Sequence, residues 1–110
     1  MLLLDTKYSH AQLDRIRDQG AIFMCACPSQ VSLQITHLRK LFEYQRQCVR
    51  SDESYINSET HRLIAKATAD AHKIMEDCME EILIREAWNL ETLEMPANLR
   101  ELMLKVAEDD

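Results

Sequence analysis

Gly20, Pro28 and Pro96 are the only glycine and the only prolines in a chain of 110 residues. A sheet protein needs many tight turns, and this chain lacks the residues that make them. Ala, Leu, Glu, Met, Gln and Arg are abundant instead, and all are good helix formers. The expectation is an all-α fold. With 46% apolar and 29% charged residues there is enough Leu, Ile, Val and Met to bury one core, so residues 1–110 are expected to form a single domain.

The apolar spacing divides the chain into about four helices, two of them long. Residues 1–8 form an N-terminal arm whose Leu2, Leu3, Leu4 and Tyr8 are available for packing. Ser9 with Gln12 three residues on matches a capping box. Leu13 and Ile16 follow at helical spacing, and Gly20 offers a stop, so the first helix is expected over roughly 9–19. Residues 21–27 are an apolar connector. The second helix is expected from Pro28 to about Arg50, with Val31, Ile35, Leu38, Phe42, Gln45, Cys48 and Val49 on one stripe and Arg39 off it. Residues 51–57 are a polar link. The third helix is expected to begin between Asp52 and Glu59, with Ser58 or Ser54 as its cap, and to run to about Ala87. Its stripe is Ile64, Ala67, Ala71, Ile74, Cys78 and Ile82, where the two alanines allow a neighbour to approach closely. Asn89 is expected to close it, with Trp88 folded back. After a link over 88–95, Pro96 opens a last helix with Leu99, Leu102, Met103 and Val106 on its face.

Long helices constrain assembly. Spans of about 35 and 43 Å, at 1.5 Å per residue, overshoot a compact domain of this size, whose radius of gyration is near 13 Å. Two short helices do not cover both long ones, and monomers seldom leave large apolar stripes bare. An antiparallel helical bundle assembled as a homodimer satisfies both points. The competing solution is a kinked third helix in a compact four-helix monomer.

The formal net charge of −6 is uneven: residues 1–55 carry 7 basic against 6 acidic groups, residues 56–110 carry 6 against 13. An acidic chain disfavours nucleic acid and anionic membranes as partners. No run approaches the roughly 18 apolar residues of a membrane span, and no secretory signal stands out, so a cytoplasmic location is expected. The cysteines would then be reduced.

The one stretch that hints at chemistry is Cys25-Ala26-Cys27-Pro28. With Pro28 as first helical residue, Cys27 becomes the N-cap, where free N–H groups and the helix dipole favour a thiolate. Cys25 would be a resolving thiol or second ligand. Cys78, on an antiparallel third helix, can approach them, so Cys25, Cys27 and Cys78 are the candidate metal ligands; Cys48 cannot join them. The plain alternative is that Cys25 and Cys27 are small buried hydrophobes and that Cys48 and Cys78 pack in the core. His61 and His72, eleven residues apart, are separated by about 16 Å and do not share a metal. They are expected at the boundary of the apolar stripe. Glu76, Asp77, Glu80, Glu81 and Glu86 read as a solvated face or a surface for a protein partner.

No Glu-x-x-His, His-Glu-x-x-His or glycine-rich phosphate loop occurs. A nucleophile at Cys27 lacks a base, since His37 lies more than two turns further on. The expectation is a non-enzymatic helical binding or regulatory module, homodimeric, contacting a protein partner through the acidic face of the third helix. The alternative is a thiol-dependent metal-binding or redox-sensing protein using Cys25 and Cys27.

Overall fold

The computed structural model describes residues 3–22, 27–50 and 58–96, and among these it is all-helical. Helix α1 spans His10–Ile22, α2 spans Cys27–Arg50 and α3 spans Ser58–Arg85. The last helix expected from Pro96 falls on 97–110, outside the described residues, so three helices stand where about four were expected.

α2 is the central element, packed on both α1 and α3. Arg39 reaches His72 and Glu76, while Gln45 lies against His61 further along α2, so the two long helices run antiparallel. α1 also runs antiparallel to α2: Ser32 Oγ donates to the Leu13 carbonyl at 2.6 Å, and Gly20 lies against Ser29. The radius of gyration is 17.5 Å, against about 13 Å for a compact domain of this length.

The start of α1 is the expected capping box. Ser9 N donates to Gln12 Oε1 at 2.8 Å, and Gln12 N donates to Ser9 Oγ at 3.0 Å. Gly20 is not the stop. It lies inside α1, and a Cβ there would meet Ser29 N at 3.1 Å, so its role is to let α1 touch the first turn of α2. α2 begins at Cys27, one residue before the expected start.

α3 ends in a Schellman motif. Trp88 N donates to the Leu83 carbonyl at 2.9 Å and Ala87 N to that of Ile84 at 3.0 Å. Ala87 has φ 58°, so it closes the helix in the left-handed conformation rather than Asn89. Asn89 instead shapes the next turn, where its Oδ1 accepts from Glu91 N and Thr92 N. The turn docks on α1 through Arg15, which donates to the Thr92 carbonyl and to Glu94. Trp88, Leu93 and Met95 thereby close one core with Tyr8, Leu13, Ile16, Ile35, Met79 and Leu83.

The buried face of α3 is not the expected stripe. Ala65, Thr68, His72, Glu76, Met79 and Leu83 are buried, each one residue after a member of the set expected there, or two after Ile74. One residue is about 100° around the helix, so the inward face is a different one. Of the expected stripe, Ala67, Ile74 and Cys78 are exposed and Ile64, Ala71 and Ile82 half-buried. On α2 the expected Ile35, Phe42 and Gln45 are buried, but Ser32 and Arg39 join them. The reason is polar: α2 and the arm present hydrogen-bonding groups to α3, and those groups are met by His72 and Glu76, while Thr68 bonds back to the Ile64 carbonyl of its own helix.

A non-glycine residue in the left-handed region costs about 1–2 kcal/mol. Ala87→Gly should therefore raise the unfolding free energy by about 1 kcal/mol, read in urea titrations.

Candidate functional site

Glu76 sits where the arm crosses α3. Its carboxylate accepts from Lys7 N at 2.9 Å (Oε1) and 2.8 Å (Oε2), and from Tyr8 N at 3.0 Å. Arg39 closes the arrangement from α2: its Nη2 donates to Glu76 Oε2 at 3.0 Å and to the Tyr8 carbonyl at 2.5 Å. Both amides and the carbonyl lie in a segment with no helical or strand partner, so these side chains supply what secondary structure would otherwise provide. The Arg39 and Glu76 side chains are only 7% and 5% exposed. Burying two charges costs several kcal/mol each, which makes a complete set of hydrogen bonds a requirement.

Arg39 Nε donates to His72 Nε2 at 3.0 Å. That nitrogen must accept, so the imidazole is neutral with its proton on Nδ1. Nδ1 is buried without a hydrogen-bond partner, 3.6 Å from Glu76 Oε1. Burial pushes the His72 pKa below its ordinary 6.5; the Glu76 charge acts upward and the Arg39 charge acts downward.

The arm is also held from outside. Lys7 Nζ pairs with Asp77 at 2.8 Å and Glu80 at 2.6 Å, and these contacts keep its ammonium protonated well above the usual range. Lys7 and Lys73 together hold the Asp77 carboxyl below its usual value. The arm separates two open clefts, one of about 570 Å³ reaching Leu4, Phe42 and Arg46, the other of about 410 Å³ reaching Ala69, Lys73 and Asp77.

Of the acidic face expected to meet a partner, only Glu76 is withdrawn from the surface; Asp77, Glu80 and Glu81 make ion pairs within the chain and keep exposed side chains. Glu76 is buried, Asp77 and Glu80 hold Lys7, Glu81 pairs with Arg85, and Glu86 accepts from Trp88 Nε1. Glu76 has no surface to offer, because the arm lies over it. His72 is buried rather than at a boundary; His61 is half-buried, with Nδ1 2.7 Å from Gln45 Oε1.

The three candidate metal ligands are placed as follows. Cys27 is the exposed first residue of α2, not its N-cap, and so is not a buried hydrophobe; Cys78 is exposed along α3, not in the core; Cys25 lies outside the described residues. Cys48 is half-buried. Among the described residues no three His, Cys, Asp or Glu side chains form a group fit to hold a metal ion, and no helix is long and apolar enough to cross a membrane.

Arg39, His72 and Glu76 were missed as a set, yet they leave a trace. Thr68, His72, Glu76, Met79 and Leu83 follow one another at spacings of four and three, a second helical stripe beside the more apolar one. Arg39 stands four residues after Ile35 and three before Phe42.

The fold and this cluster define an all-helical hairpin with an N-terminal strap pinned by a buried ion pair. Comparison with family models, with curated proteins and with solved structures finds no match.

Removing one partner of a buried pair leaves the other charge uncompensated. Glu76→Ala should cost about 3–5 kcal/mol of stability, and Arg39→Met combined with Glu76→Leu should cost far less than the sum of the two single changes; denaturant melts of the double-mutant cycle decide this. His72 stays neutral in the folded chain but gains a proton when unfolded, so stability falls as pH drops below about 6.5. His72→Gln should flatten that part of the pH–stability curve.

Proposed function

We propose that this chain is a non-enzymatic helical module that works through protein–protein contact and does so as a homodimer. The observation that carries the reading is the uncharged apolar side of the hairpin. Ile74 on α3 is 66% exposed and Leu41 on α2 is 41% exposed. Around the α3 axis, Thr60, Ile64, Ala67, Ala71, Ile74, Met75, Cys78 and Ile82 fall within about 100° of one another. From Glu59 to Glu81 every charged residue of α3 lies outside that arc. Bare apolar faces of this length mark contact surfaces.

The buried titratable groups support the same reading. Arg39, His72 and Glu76 spend their hydrogen bonds on one another and on the arm, so their task is to hold the hairpin together rather than to meet a substrate.

Sedimentation equilibrium at micromolar concentrations should return about twice the 12.9 kDa chain mass. A monomer mass at tens of micromolar contradicts the proposal.

A further inference from the structure

Resting on the homodimer reading, we infer that the bare side of the hairpin is covered by a second copy turned end for end, with α3 against α3 of the partner and the two-fold axis passing between Ala67 and Ala71. Both helices of the hairpin contribute to this side. The arm lies on the side of Thr36, Arg39 and Lys40 on α2 and of Ala69, Lys73 and Asp77 on α3. With the helices antiparallel, turning away from the arm brings Leu38, Leu41 and Cys48 of α2 into line with Ile64, Ala71 and Met75 of α3. The two sets share one surface, opposite the strap.

A second copy fits this surface for two reasons. A two-fold interface brings residues near its axis against their own copies, where like charges repel; the stretch of this surface around Ala67, Ala71 and Leu41 carries no charged side chain. The size is also right. From Thr60 to Ile82 the α3 part is about 34 Å long and from Leu38 to Cys48 the α2 part is about 15 Å, each about one helix diameter of 10 Å wide. That gives on the order of 500 Å² per copy, so about 1,000 Å² in total, which reaches the size of a specific interface.

Charge sets the orientation. Setting aside the buried Arg39–Glu76 pair, which meets at one level of the hairpin, residues 40–50 and 58–73 carry 6 basic against 3 acidic groups, and Asp52 and Glu53 in the link leave that end slightly positive. Residues 77–85 carry 3 acidic groups against one basic. A two-fold axis along the helices would place like ends together. An axis across them places the positive end of one hairpin beside the negative end of the other. The alanine pair is where two α3 helices can come closest, and the Arg39–His72 and Gln45–His61 contacts place Leu41 at the same level on α2. Leu41 then meets its own copy at the axis.

The arrangement makes two checks possible. Each Ala71 lies about one helical turn from its symmetry mate, so Ala71→Glu and Ala71→Lys should each sediment as a monomer with unchanged helical circular dichroism, and a mixture of the two should recover the dimer mass. Thr60 and Cys78 lie on the same line of α3, equidistant from the axis, so Thr60→Cys should give an oxidised covalent dimer that disappears when Cys78→Ser is added. If the wild type is a dimer but Ala71→Glu remains one, or if the Thr60→Cys cross-link fails or survives Cys78→Ser, this seam is wrong while the homodimer stands. A monomeric wild type overturns both.

Discussion

The Glu76 carboxylate is the contact on which the rest of the structure depends. It answers two main-chain amides of an arm that no helix or strand satisfies, and it neutralises the guanidinium that answers the arm's carbonyl. A carboxylate placed on the inward face of α3 needs a buried cation, and Arg39 is one turn of α2 beyond Ile35. The histidine fills the remaining gap as a neutral acceptor. Together they form a polar layer across a hairpin that is apolar below it, at Ile35, Met79 and Leu83.

That layer decides which way α3 faces. A helix has one inward arc, and giving it to Thr68, His72 and Glu76 turns Ile74, Ala67 and Cys78 outward. The strap on one side and the bare apolar surface on the other are two consequences of one rotation. Burying these charges is costly unless they are paired, and this facing of α3 is one in which Arg39 and Glu76 meet. The apolar surface it releases is the one proposed above for assembly.

Local signals were legible in the sequence where local chemistry decides the outcome. The Ser9–Gln12 capping box, the burial of Leu13 and Ile16, and the lengths of the two long helices follow from cap residues and periodicity. The facing of α3 did not follow, because periodicity ranks apolar residues and is blind to the polarity of the neighbour. Glu76 looked like one of five solvated acids until the arm's amides were set against it. Gly20 looked like a stop because its need for close approach to Ser29 arises only in three dimensions. Ala87 in the left-handed position carries no signal at all, since alanine is the best helix former there is.

The most direct measurement is amide hydrogen exchange at Lys7 and Tyr8. Both N–H groups lie outside any helix, so their protection comes from the Glu76 carboxylate alone. Exchange rates close to those of the core amides of α2 and α3 are the predicted result, because opening the clasp would strand buried charges. Exchange at the rate of an unstructured chain at these two positions would contradict the account.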